Sequence, residues 1–368
     1  MPQSTIDSRK EAYFKLSSEI AQLDNTQLLS LFKENATNTA NSGWGTNQTL
    51  TFGKSQVFAK RIPVTDLEYK NLFSTKNLYN LPTHCNYGLG STGLGVFREL
   101  VTHIKTTHWV LEEEIATFPL MYHYRIIPFS EPRSPADQTQ LNSYVNYWGG
   151  SEEVRQYCLD RAIATHELVL FLEYIPYVLG EWLPNNPHRL QDNLCDLHTT
   201  IDFLRSKGII HFDAHFFNVV TDGEQAYLTD FGLALDQSFA LTRHEEFFFE
   251  QHSLYDHGEI LRNLGWLMRS AYNACPESDK LRIAQKYHIK PALKSHEITA
   301  TMFENIQKIQ ADGDIDLDDF YVKSVVKYRR IIELMQNFFA DMVENNRKDT
   351  AFPHAELERL LKETGYLA

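Results

Sequence analysis

Apolar residues recur first at helical spacing. Between residues 8 and 35, Phe14, Leu16, Ile20, Leu23, Leu28, Leu29 and Leu31 supply the faces of one or two amphipathic helices, which stop at the polar run Asn35-Ala36-Thr37-Asn38. The period then shortens. A glycine-bearing stretch, Ser42-Gly43-Trp44-Gly45-Thr46-Asn47, precedes alternating segments around Leu50-Thr51-Phe52 and from Val57 to Ile62 that read as strands. From Val96 to Leu111 helical spacing returns, with Phe97, Leu100, Val101, Ile104 and Leu111 on an apolar face and Glu99, His103 and Thr106 along a polar stripe beside it. Apolar runs at 119–127 and 168–172 have strand length. Further on, helices take over. Leu190, Leu194, Leu197, Ile201 and Leu204 share a face ahead of Gly208, a C-cap signal. Asp256-His257-Gly258-Glu259 opens a helix carrying Ile260, Leu261, Leu264, Leu267 and Met268, and helical patterns cover 320–343 and the residues after Pro353. Between these helices, Val219-Val220 and Ala226-Tyr227-Leu228-Thr229 flank Asp222-Gly223, a hairpin signal.

Composition narrows the functions open to such a chain. Its 368 residues, 43% of them hydrophobic, suffice for two domains or two lobes with sizeable cores. The net charge of −13, from 35 Lys+Arg against 48 Asp+Glu, disfavours nucleic acid and anionic lipid as partners. Cys85, Cys158, Cys195 and Cys275 form no C-x-x-C, so neither a zinc ribbon nor a disulfide framework is indicated, and a reducing cytoplasm suits them. The N-terminus lacks an apolar signal core, and no run of about 18 apolar residues predicts a membrane span. Asp312-Gly313-Asp314-Ile315-Asp316 fails the calcium-loop template, because Leu317 stands where the glycine belongs and Lys323 where the bidentate glutamate belongs.

The chemistry concentrates between Leu204 and Leu235. Asp213 is followed after four residues by Asn218, and beyond the hairpin Asp230 heads Asp230-Phe231-Gly232. A triphosphate brings several negative charges into one cleft, so a magnesium ion must be held there by hard oxygens, which Asn218 and Asp230 supply. A further carboxylate must orient the acceptor hydroxyl and take its proton, a role that fits Asp213.

The set His211, Asp213, Asn218 and Asp230-Phe231-Gly232 resembles the catalytic and metal loops of the protein-kinase-like superfamily. The resemblance covers roughly residues 40 to 275 and implies an α+β, bilobal fold with a small β-rich first lobe and a larger helical second lobe. Its organisation would be a helical extension at 1–38, a first lobe with insertions at 39–173, and a second lobe with a helical C-terminal extension at 174–368. It implies ATP and Mg2+ as cofactors, Lys60 in Val57-Phe58-Ala59-Lys60 on the α- and β-phosphates, Gly43 and Gly45 in the phosphate-covering turn, and the backbone of Glu173 and Ile175 at the adenine. The turn departs from full G-x-G-x-x-G, since residue 48 is Gln. Glu99 is the expected partner of Lys60, with Glu68 the alternative, because 65–95 is an insertion; 129–166 is another. A second glycine run at 88–93 matches G-x-G-x-x-G but follows a poor strand, and reads as a flexible lead into the helix at Val96.

The resemblance leaves the acceptor open. Asp230-Phe231-Gly232-Leu233-Ala234 looks like a protein kinase, whereas His215, two residues after Asp213, and the absence of A-P-E look like aminoglycoside and choline kinases. A protein Ser/Thr acceptor is favoured over a small-molecule hydroxyl, and a catalytically silent, partner-binding kinase fold is the third reading. Phe212 stands where regulated kinases carry an arginine that binds activation-loop phosphate, so activity without phosphorylation at Ser238, Thr242 or Ser253 is expected.

Overall fold

The computed structural model describes residues 3–35, 39–42, 45–129 and 133–367 of a mixed α+β chain. Two compact units divide it: residues 1–176, 206–213 and 227–249 form one, and residues 177–205, 214–226 and 250–368 form the other. The chain therefore passes between the units several times rather than at a single boundary.

The first unit begins with helices α1 (Gln3–Ala21) and α2 (Asn25–Glu34), the second started by a reciprocal capping box between Asp24 and Gln27. Leu16, Ile20 and Leu28 of the apolar pattern are buried, whereas Phe14 is exposed and packs edge-on against Tyr13. Strands β1 (Thr39–Ser42), β2 (Gly45–Phe52), β3 (Ser55–Val64), β4 (Met121–Pro128) and β5 (His166–Glu173) form one antiparallel sheet in the order β1-β2-β3-β5-β4. Ahead of the next long helix lies a short one, α3 (Asp66–Lys70), and then α4 (Val96–Leu111) packs on the sheet through Val96, Phe97 and Leu100 against Ile62, Val64, Met121, Leu168 and Leu170.

Segments from 65–95 and 129–166 share a core. Leu81, Cys85 and Leu94 of the first pack with Leu141, Val145 and Trp148 on α5 (Gln138–Tyr147) and around it, and with Val154, Tyr157 and Cys158 on α6 (Glu152–Ala162). This cluster is separate from the one under the sheet.

In the second unit β6 (Tyr177–Val178) leads into α7 (Leu179–Trp182) and α8 (Leu190–Ser206). The chain returns to the first unit as β7 (Ile209–Ile210). β8 (Val219–Thr221) pairs antiparallel with β6, and β9 (Ala226–Leu228) follows the Asp222 turn, whose side chain accepts from the N–H groups of Glu224 and Gln225. β10 (Leu235–Asp236) pairs antiparallel with β7, and α9 (Arg243–Gln251) comes next. The remaining helices are α10 (Tyr255–Ala274), α11 (Glu277–Lys286), α12 (Ser295–Glu304), α13 (Ile306–Ala311), α14 (Asp319–Glu344) and α15 (His354–Glu363). α10 packs on α14, with Gly258 passing so close to Met335 that a β-carbon would lie 2.7 Å from its sulfur. Among the described residues no helix is long and apolar enough to cross a membrane.

Candidate functional site

Lys60 sits on β3, opposite Asn47 of β2 on one side and Leu170 of β5 on the other, so its backbone is fixed by ladders on both edges. Its ammonium lies 2.7 Å from Glu99 of α4 and 2.8 Å from Asp230. Burial works against the Lys60 ammonium, but Asp230 and Glu99 outweigh it and hold the group above its ordinary value. Burial also opposes the Asp230 carboxylate, and Lys60 overcomes it to draw the group down to about 2. At Glu99 burial prevails over the attraction of Lys60, and the like charge of Asp230 adds to it, so this carboxyl is raised. The alternative partner, Glu68, is occupied elsewhere. Its carboxylate accepts from the N–H of Val96 at 3.0 Å, capping a helix whose own N-cap is glycine, and from the Tyr157 hydroxyl at 3.1 Å.

The stripe Glu99, His103 and Thr106 is buried rather than solvated. His103 meets the edge of Phe231 at 4.9 Å, and Phe231 also packs on Phe118 and His211. Burial, with Lys60 nearby, pushes the His103 imidazole down to about 3, so this histidine is neutral in the folded chain at neutral pH.

Asp230 adopts left-handed backbone geometry (φ 63°, ψ 73°), tolerable for aspartate, and heads the short turn Phe231–Leu233. Ahead of it, the N–H of Asp213 donates to His211 Nδ1 at 3.2 Å, so the ring proton is on Nε2, which donates to the Thr229 carbonyl at 3.0 Å. His211 thereby ties the Asp213 loop to the strand leading into Asp230. Phe212 is fully buried at φ 65°, stacked on Phe248 of α9 at 5.4 Å and edge-on to Tyr87 at 6.2 Å.

Lys60, Glu99, Asp213 and Asp230 line one cavity of about 200 Å3 within the first unit. Its other wall comes from the insertions: Gly90, Ser91, Thr92, Gly95, Tyr157 and Arg161. The run at 88–93 is held tightly against the motif loops. A β-carbon on Gly88 would fall 1.9 Å from Asp213 Oδ1, and one on Gly93, at φ 68°, would fall 2.4 Å from the Gly232 carbonyl oxygen. The expectation of a flexible lead into the helix is thus replaced by close approach, which only glycine permits. Arg161, almost wholly buried, donates to the Thr92 carbonyl at 3.1 Å and lies over the Tyr157 ring. Sequence reasoning missed Arg161, whose only signal was a helical stretch after Gly149-Gly150.

Gly45 lines the same cavity, its α-carbon so near the Arg61 carbonyl that a side chain would clash; Gly43 lies outside the described residues. Glu173 ends β5 with its N–H donated to the Leu120 carbonyl and its carboxylate held by the guanidinium of Arg9 on α1 (2.7 Å). Arg9 also donates to the carbonyls of Ala116 and Phe118. Ile175 is half-buried in the irregular segment after β5. His215 and Asn218 belong to the second unit. His215 Nδ1 accepts from the Phe217 N–H, and its carbonyl accepts from the Asn218 N–H at 2.8 Å. Asn263 of α10 accepts from the Phe216 N–H at 3.1 Å and so braces this turn from below.

The segment after Asp230-Phe231-Gly232 is ordered by carboxylates. Glu245, buried on α9, receives Arg98 of α4 at 2.6 Å and the N–H and hydroxyl of Thr242. Lys105 donates to Asp236 and to the Ser238 hydroxyl.

No family model matches the chain, and a search of curated proteins finds no significant relative.

Proposed function

We propose that the chain is an ATP-dependent phosphotransferase with a protein-kinase-like bilobal fold, moving the terminal phosphoryl group of ATP to a hydroxyl, with protein serine or threonine the favoured acceptor. The observation that carries this reading is Lys60 held between Glu99 and Asp230 in the cavity that Asp213 also lines. Two cationic side chains, Lys60 and Arg161, face three carboxylates, Glu99, Asp213 and Asp230, an excess of one formal negative charge. A polyphosphate suits such a cavity only together with a divalent cation, and the partly exposed oxygens of Asp230 suit magnesium. When bound, that ion neutralises charge on the transferring group.

Each residue then has a definable task. Lys60, positioned by Glu99, binds phosphate oxygens as a point charge, and Arg161 adds a planar fork of donors from the insertion side. Asp213, oriented through His211, aligns the acceptor hydroxyl and accepts its proton late in a loose transition state. The part of Asn218 in holding the ion, of Glu173 and Ile175 at the adenine, and of His215 beside the acceptor rests on the motif resemblance alone. A small-molecule acceptor is the second reading, favoured by the segment at Gly88, which lies on Asp213 and narrows the approach to it.

The test is transfer of label from γ-labelled ATP with Mg2+, offered generic proteins and aminoglycosides in separate reactions. Wild type should label one acceptor class, and Asp213→Asn should lose about 10³-fold of that rate while still binding nucleotide. An unimpaired Asp213→Asn enzyme would remove the assignment.

A further inference from the structure

In the second unit α8, just before the His211–Asp213 segment in sequence, and α10, after Asp230, bring three ligand-type side chains together. His198 and Asp202 are one helical turn apart on α8 and so face the same way. His257 projects from the first turn of α10. The ligand atoms of all three lie within 4.8 Å of one another.

Two independent features distinguish this cluster from an ordinary hydrogen-bonded triad. The first is an orphan. His257 is wholly buried, and neither of its ring nitrogens has a hydrogen-bond partner; Nε2 of His198 is likewise buried without one. A buried imidazole with both nitrogens unsatisfied calls for an explanation, and a bound ion supplies one. The second is spacing. His198 Nε2 lies 3.5 Å from one Asp202 oxygen, and His257 Nε2 lies 3.5 Å from the other. Charge-assisted hydrogen bonds close to about 2.8 Å. Donor atoms held at about 2.1 Å from a zinc ion in tetrahedral array stand about 3.4 Å apart, which is the separation found. Asp202 is half exposed and can turn one oxygen toward both imidazoles. Tyr366 covers the cluster, its ring centroid 4.4 Å from that of His198 and 5.7 Å from that of His257.

We propose that His198, Asp202 and His257 form a binding site for one zinc ion or a similar divalent transition metal, which ties the middle of α8 to the first turn of α10. Two imidazoles and one carboxylate favour such an ion over magnesium or calcium, which prefer all-oxygen shells. The site is independent of the phosphotransferase reading.

The full-length protein would be incubated with Zn2+ in excess Mg2+, desalted, and its zinc measured by plasma mass spectrometry. About one equivalent should stay with wild type and with Cys195→Ser, and be lost from His198→Ala and Asp202→Asn, both at partly exposed positions that leave the circular dichroism spectrum unchanged. A chelator should lower the melting temperature of wild type and leave that of the two ligand variants unmoved. The proposal is overturned if wild type retains no zinc, if either ligand variant retains as much as wild type, or if retention follows Cys195 instead.

Discussion

Lys60 is held by a strand paired on both edges, whereas Arg161 stands on an eleven-residue helix steadied by a small core of its own. Both face one cavity. On the sheet side Lys60 has fixed partners in Glu99 and Asp230, and the backbone N–H of Asp213 is held by His211. On the insertion side the wall is made largely of backbone, from Gly88 to Gly95, with Arg161 as its charge. The difference separates two tasks. On the proposed reading, Lys60 and its carboxylate partners would carry the chemistry, and the insertion-side core would set the shape and depth of the space around them.

The largest effect is expected where the insertion-side wall touches Asp213. Gly88→Ala puts a methyl group into Asp213, and because an error of about 1 Å at a reacting group costs about 10²-fold, turnover should fall by that order with little change in melting temperature. Gly90→Ala, whose β-carbon would meet nothing within 4 Å, should cost only about 1 kcal/mol of backbone strain and keep turnover. Equal turnover in the two variants would show that the wall does not constrain Asp213.

The two glutamates sharpen the same contrast. Glu99→Gln should reduce transfer about tenfold with stability little changed, since Lys60 keeps Asp230. Glu68→Gln should do the reverse, losing about 1–2 kcal/mol with the α4 cap and the Tyr157 bond while transfer persists. Chemical denaturation and steady-state rates on both variants decide it.

A smaller effect concerns acid. His103 is held down to about 3 when folded, against about 6.5 unfolded. Below the unfolded value the unfolded chain binds a proton that the folded chain refuses, so this contribution to stability is complete above about pH 6.5 and is lost as pH falls toward 3. Melting temperature should begin to drop below about pH 6.5, and His103→Gln should flatten that slope; an unchanged slope would refute the assignment. The smallest effect expected is none: Ser238→Ala with Ser253→Ala should retain near-normal activity, because Glu245 with Arg98 and Asp236 with Lys105 already order the segment. Inactivation of wild type by a phosphatase, with the double variant spared, would contradict this.

What could be read in the sequence follows the same division. Asp213 and Asp230 are marked by short-range spacing and residue type, Lys60 and Glu99 only by the family resemblance that spacing brings, and the helix from Val96 to Leu111 by its period, which lies within a few turns of chain. The insertion wall was not legible. Its core joins Leu81, Cys85 and Leu94 to Trp148, Val154 and Tyr157, contacts between segments about 60 residues apart that no local pattern encodes. The glycines at 88 and 93 were visible, but their reason is the backbone and side chain they touch, Asp213 and Gly232, which spacing alone does not reveal. Glu99, His103 and Thr106 read only as a polar stripe, and their burial was not legible, because helical period separates faces without saying what covers the polar one. His198, Asp202 and His257 escaped notice because Asp202 and His257 meet only through the packing of α8 on α10.

On the proposed function, both sides of this cavity grip one magnesium–nucleotide complex. Calorimetric titration of a nonhydrolysable ATP analogue into the full-length chain tests it most directly, with Mg2+ and with chelator, on wild type, Lys60→Met and Arg161→Met. Binding that requires Mg2+ and weakens about tenfold or more in each variant is the predicted result. Binding indifferent to Mg2+ or to both substitutions, or no binding at all, would contradict it.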